Sequence, residues 1–175
     1  MLRQSHSFRA EETFTVYGSL SEGSDLMEGI LAECNKHRIT SGFVTCIGSL
    51  KEVGYVLFQT NNGSPSGYGR EIKIQNPVEL VHCSGFICHD ENDELDLHLH
   101  GLVVEENGKI SAGHFVRKKN PTLITVEFAI TYGKGIIASR TFDKGLGFRV
   151  INFSKQGRET LGNTGVLSKK NTDSI

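Results

Sequence analysis

The stretch Leu95-Asp96-Leu97-His98-Leu99-His100-Gly101-Leu102-Val103-Val104-Glu105-Glu106-Asn107-Gly108-Lys109-Ile110-Ser111-Ala112-Gly113-His114-Phe115-Val116 decides how this chain is read. Two apolar, β-branched runs flank Asn107-Gly108, the strongest short-range signal for a β-hairpin. His98 and His100 stand two apart, so on a strand both imidazoles project from the same face. Whether His114 joins them depends on how many residues the turn consumes. A two-residue Asn107-Gly108 turn pairs Glu106 with Lys109 and sets His114 opposite Gly101, on the far face. A three-residue bend, Glu106-Asn107-Gly108, is a type I turn closed by a bulge with glycine in the left-handed conformation. It pairs Glu105 with Lys109, Val104 with Ile110, Leu102 with Ala112 and His100 with His114. The second register is preferred: opposite charges face each other and apolar residues meet apolar residues, whereas a slip of one residue sets Glu105 against Ile110.

In that register all three histidines share a face with Leu102, Val104, Ile110 and Ala112. Directly opposed Cβ atoms lie roughly 5 Å apart, and i, i+2 neighbours on one strand roughly 6.7 Å. Three imidazoles at that spacing can converge on one cation through bonds of about 2.0–2.1 Å, leaving a coordination position open for water or a ligand. Asp96 has the parity of His98 and is placed to orient a ring N–H or to add a weak fourth ligand. The same His-x-His pair also reads as two half-buried histidines bonded to backbone or water; the register, by bringing in His114 independently, favours the metal. Gly101 and Gly113 fall opposite each other on the reverse face and read as packing features. His82 and His89 have no partner at ligand spacing and read as core or surface residues, and His6 belongs to a frayed terminus. Glu127 alternates with apolar neighbours and is a candidate inward carboxylate.

The chain has 175 residues, with 19 Lys+Arg against 20 Asp+Glu. That length predicts one domain able to bury roughly 70% of its unfolded surface. A net charge of −1 argues against a basic, nucleic-acid-coating protein, and 37% hydrophobic against 22% charged residues excludes a disordered chain. No run of about 18 apolar residues occurs, so no membrane span is expected. The start, Met1 to Arg9, lacks an apolar block and is not expected to act as a secretory signal. Cys34, Cys46, Cys83 and Cys88 form no Cys-x-x-Cys pair and do not suit a zinc ribbon. They read as reduced, mostly buried small side chains of a cytoplasmic protein.

Twenty glycines and three prolines punctuate the remaining β-branched runs. Strands are expected at Thr13–Tyr17, Gly42–Ile47, Val53–Gln59, Arg70–Gln75, Val78–Cys88, Leu95–Val104, Ile110–Val116, Leu123–Tyr132 and Gly147–Phe153, with Thr60–Gly69 a flexible loop. One helix stands out: Asp25 caps it, Glu28 completes a capping box, and Leu26, Met27, Ile30, Leu31 and Cys34 line one face. His37 and Arg38 fall at its C-terminal end, where cations are favoured. Short links favour antiparallel pairing. The class is α+β, a mostly antiparallel mixed sheet with one main helix in a single compact domain. Arg117-Lys118-Lys119 reads as a solvated turn, and residues 154–175 as a polar C-terminal tail that is mobile or docks weakly.

Further landmarks are Ile39-Thr-Ser-Gly-Phe-Val-Thr-Cys-Ile-Gly-Ser-Leu50, Pro77-Val-Glu-Leu-Val-His-Cys-Ser-Gly85, His98-Leu-His100, Gly113-His114 and Asn120-Pro-Thr-Leu123. In this order they resemble the plants-and-prokaryotes-conserved (PPC) domain, over about residues 10–153. The resemblance implies a compact α+β domain that assembles as a homotrimer. It implies a divalent metal at the His-x-His and later Gly-His positions of prokaryotic members, here His98, His100 and His114. Zinc is the first choice because three neutral imidazoles suit it, and the same donors suit nickel, copper and iron(II). Plant relatives attach the domain to AT-hooks that grip AT-rich DNA, and stand-alone members are often labelled DNA-binding. No Arg-Gly-Arg-Pro core occurs in this sequence.

A trimer also suits the hairpin. Leu97, Leu99, Val103 and Phe115 make the face opposite the histidines apolar, so both sides want cover. One helix covers one side, and a neighbouring subunit is a natural cover for the other. The expected function is therefore a metal-binding homotrimer. One alternative is a DNA-binding, transcription-associated module with Arg117–Lys119 and Lys169-Lys170 on phosphates. Another is a metal-dependent enzyme acting on a small-molecule ligand at the open position. No nucleophile elbow, phosphate loop or second catalytic motif is present to name a substrate.

Overall fold

β-branched runs separated by glycine-bearing turns pair edge to edge into one long sheet, seen in a computed structural model that describes residues 4–156. The elements are β1 (Thr13–Ser21), α1 (Leu26–His37), β2 (Gly42–Leu50), β3 (Val53–Val56), β4 (Phe58–Asn61), β5 (Ser64–Tyr68), β6 (Ile72–Ile74), β7 (Val78–His89), β8 (Leu95–Glu105), β9 (Ile110–Phe115), β10 (Thr122–Gly133), β11 (Ile136–Asp143) and β12 (Phe148–Lys155). The main sheet runs β1-β10-β2-β7-β8-β9-β3-β6, antiparallel throughout, and the β11–β12 hairpin joins it through one parallel bridge between Ser139 and His89. β4 and β5 form a separate two-stranded ribbon. The molecule is thus a single, mostly antiparallel β-sheet domain with one helix among the described residues. The expected α+β class holds only in this β-dominated form.

Alternation along the strands separates two faces. Leu97, Leu99 and Val103 of β8, Phe115 of β9, Cys83 and Ile87 of β7 and Val44 of β2 are buried on one of them. The apolar stripe of α1, Leu26, Met27, Ile30, Leu31 and Cys34, lies in the same core. Full burial of each such Leu, Ile or Phe contributes about 1.5–3 kcal/mol. All four cysteines are free and buried, Cys34, Cys46 and Cys83 in this interior and Cys88 on the other face of β7, where it pairs with Asp96.

The helix starts as expected, with Asp25 Oδ1 accepting the N–H groups of Met27 and Glu28 at 3.1 Å each. The capping-box partner behaves differently: the Glu28 carboxylate pairs with Arg117 on the loop after β9. That pairing gives Arg117 a partner, while Arg117, Lys118 and Lys119 stay exposed in the turn as expected. Beside it, the fully buried Asn120 braces three elements. Its backbone N–H donates to Asp25 Oδ2 at 3.0 Å, its side-chain oxygen accepts from Gly54 N–H, and its amide donates to Val116 at 2.6 Å.

The deciding hairpin takes the three-residue bend. Gly108 sits at φ +81°, its N–H donates to the Glu105 carbonyl, and Glu105 N–H bonds the Lys109 carbonyl at 2.9 Å. The Lys109 ammonium reaches the Glu105 carboxylate at 3.0 Å. Val104 pairs with Ile110, Leu102 with Ala112, Gly101 with Gly113 and His100 with His114. On the core side a methyl group at Gly101 would lie 2.2 Å from the tip of the Phe115 ring, so this glycine makes room for the ring.

Other expectations are corrected. The run Val53–Gln59 is split after Val56, its first part entering the main sheet and its second the β4–β5 ribbon. The expected loop Thr60–Gly69 contains most of that ribbon, and β11 was not expected at all. The last strand runs to Lys155, past its expected end at Phe153, and residues 157–175 of the expected tail lie outside the described residues. His6 is anchored, accepting the Phe153 N–H at 3.1 Å. Glu127 faces outward, where Ser19 donates to it at 3.4 Å.

Candidate metal centre

Period-two alternation that buries Leu97 and Leu99 turns Asp96, His98 and His100 to the other face of β8. His114 of β9 lies directly across from His100, flanked on its other side by Val56 of β3. The predicted ligands are therefore brought together. Nε2 of His98 lies 2.9 Å from Nε2 of His100, which lies 3.5 Å from Nδ1 of His114. The three ligand nitrogens fall within 4.8 Å of one another. Tetrahedral zinc with bonds of about 2.0–2.1 Å sets its donors about 3.4 Å apart, so small ring rotations suffice.

The protonation state suits a cation. Burial, with the Arg140 guanidinium and His100 adding to it, pushes His98 down to about 4. Burial, then His98 and Arg140, pushes His114 down to about 3, and burial with Arg140 lowers His100. At neutral pH the three rings are uncharged and offer lone pairs. The buried Nδ1 of His98 has no hydrogen-bond partner. A donor set of three neutral imidazoles thus fits a borderline divalent ion.

Two hairpins border the triad. The Tyr68 ring of β5 rests on His114, with ring centres 4.8 Å apart. Arg140 of β11 pairs with Asp96 at 3.2 Å, the two side chains being only 15% and 21% exposed. The hairpins meet where Phe58 contacts Phe148 at 5.5 Å. Asp96 therefore does not orient a histidine ring as expected: it lies on the right face, but a guanidinium from the far end of the chain holds it. A groove of about 370 Å³ opens beside His100, lined by His82, Ser84, Leu102 and Ala112 among others. His82, read from sequence as an isolated residue, thus neighbours the site, whereas His89 pairs with Asp93 at 2.8 Å.

Sequence reasoning missed Arg140, Tyr68 and the placement of His82. The bulge between Leu80 and His82 sets His82 opposite Leu102, which strand alternation alone does not reveal. Arg140 lies 44 residues from Asp96 and carries no local pattern.

Fold and site together define a class: a small antiparallel sheet domain with a three-histidine cluster on its less covered face. The family profile of the Plants and Prokaryotes Conserved (PCC) domain matches residues 9–132, and the chain belongs to that family. Among solved structures, a metal-containing protein from Archaeoglobus fulgidus is 18% identical, covers 85% of this chain and 98% of its own, and has a TM-score of 0.67. A plant- and prokaryote-conserved protein from Pyrococcus horikoshii is 24% identical, with 85% and 97% covered and a TM-score of 0.64. A proposed DNA-binding protein from Bacteroides thetaiotaomicron is 21% identical, with 83% and 95% covered and a TM-score of 0.65. At these identities the likeness shows the fold. No curated protein matches the chain significantly. No helix among the described residues is long and apolar enough to cross a membrane.

Proposed function

We propose that this protein is a cytoplasmic, homotrimeric metal-binding domain in which His98, His100 and His114 hold one divalent ion, zinc first among the candidates. The observation that carries the reading is the convergence of three uncharged imidazole nitrogens within 4.8 Å. His98 and His100 supply two donors from one strand and His114 a third from its neighbour, so the rigid ribbon presets the site. Such an ion would activate water or polarise a carbonyl at its open position. The metal-containing relative supports the reading.

The trimer is supported by the histidine-bearing face, where α1 is absent and Tyr17, Phe43, Ile47 and Phe86 stay exposed, Tyr17 at 81% and Ile47 at 54%. The free, buried cysteines agree with a reducing compartment. Metal analysis of untagged protein, wild type beside His100→Ala, tests the ligand assignment: about one ion per wild-type chain and loss in the variant are expected. Equal, substoichiometric metal in both overturns it. Sedimentation at micromolar concentration should give a trimeric mass, and a monomer removes that part.

DNA binding is the second reading, supported by the description of the Bacteroides relative and by the exposed Lys118 and Lys119. Arg117, expected in the same cluster, is engaged by Glu28, and Lys169-Lys170 lie outside the described residues. A steeply salt-dependent complex with AT-rich duplex is required; no shift at low salt dismisses it.

A further inference from the structure

Asp96, His98 and His100 form one row on β8, spaced about 6.7 Å per two residues. At the end of that row sits the Arg140 guanidinium, tied to Asp96 through Nη1 at 3.2 Å. A fixed positive charge beside a cation site works against cation binding, and Asp96 only partly offsets it. Asp96 alone would have served a cation better. A second oddity accompanies the first. The Nε of Arg140 is buried without a hydrogen-bond partner, although an orphaned donor of this kind is costly. Both features are explained by an anion that completes the site.

We infer that Arg140 and the histidine triad together form a site for a small carboxylate, one oxygen on the bound cation and the other accepting from the Arg140 guanidinium. This rests on the metal reading above. Carboxylate is favoured because one of its oxygens can bind the cation while the other, held in the same plane, accepts a charge-assisted N–H bond from the guanidinium. Tyr68 borders the triad at His114, and Arg140 borders it at Asp96. The competing view is that Arg140 only pins β11 to β8.

The test loads the full chain with cobalt(II) and follows the visible bands of the ion during titration with acetate and, separately, with the neutral isostere acetamide. Acetate is expected to bind at least tenfold more tightly than acetamide. Arg140→Gln combined with Asp96→Asn, which strands no buried charge, should keep one cobalt per chain and weaken acetate tenfold or more, with acetamide unchanged. Arg140→Lys keeps the charge without the planar fork and should weaken acetate less. Equal acetate affinity in wild type and the double variant, or no preference for acetate over acetamide, overturns the carboxylate site. Should the double variant not fold, Arg140→Lys decides, and unchanged acetate affinity there overturns the inference. Wild-type protein that takes up no cobalt overturns the metal reading itself, a result distinct from cobalt bound without Arg140-dependent acetate.

Discussion

The two faces of the β8–β9 ribbon are built from alternate residues of the same strands and answer to different physics. On one face Leu97, Leu99, Val103 and Phe115 are at most 1% exposed, in the core shared with α1. On the other, Asp96, His98, His100 and His114 lie partly open, bordered by polar and aromatic groups from two outlying hairpins. The contrast teaches that apolar burial holds the ribbon in register while the open face is free to carry chemistry. Substitutions one position apart should therefore separate stability from ligand binding.

The largest effect is expected on the core face. Phe115→Ala empties the space that Gly101 leaves for the ring and should cost about 3–5 kcal/mol in urea unfolding. A loss under about 1 kcal/mol would break the contrast. Asn120→Ala comes next, at about 2–3 kcal/mol, because it removes side-chain bonds to Gly54 and Val116 inside the core. It should also loosen the segment that carries His114, read as faster amide exchange at Phe115 and Val116.

The open face responds to pH instead. Unfolded imidazoles take up protons near 6.5, whereas His98 does so only near 4 and His114 near 3 in the folded, metal-free chain. Between those values the unfolded state binds more protons, so stability is full above about 6.5 and falls as pH drops. From pH 7 to 5 the loss should be on the order of 1–2 kcal/mol after allowance for solvent screening. A His98→Gln/His114→Gln double variant should flatten that slope. The smallest effect on stability is expected at the exposed His100, where alanine should change metal-free unfolding by no more than about 0.5 kcal/mol while abolishing metal uptake.

Legibility in the sequence followed the same division. The hairpin register was readable because Glu105 faces Lys109 and Val104 faces Ile110 across a left-handed Gly108, so local charge, apolarity and turn chemistry agreed. The helix was readable for the same reason, from Asp25 and its apolar stripe. What failed was peripheral or distant. β4 and β5 are exposed along almost their whole length, so no apolar alternation marks them, and the Gly, Ser and Pro of Ser64–Tyr68 read as loop. β11 touches the main sheet at one bridge, leaving little patterning to see. Arg140 and Tyr68 reach the site only because those two ribbons fold back toward it, a tertiary effect with no signature near His98.

The central claim, that one register places three histidines around one ion, is met most directly by anomalous diffraction at the zinc edge from crystals grown with zinc. A single strong peak within bonding distance of His98, His100 and His114 is predicted. A peak confined to other side chains, with these three rings hydrogen-bonded among themselves, would contradict it.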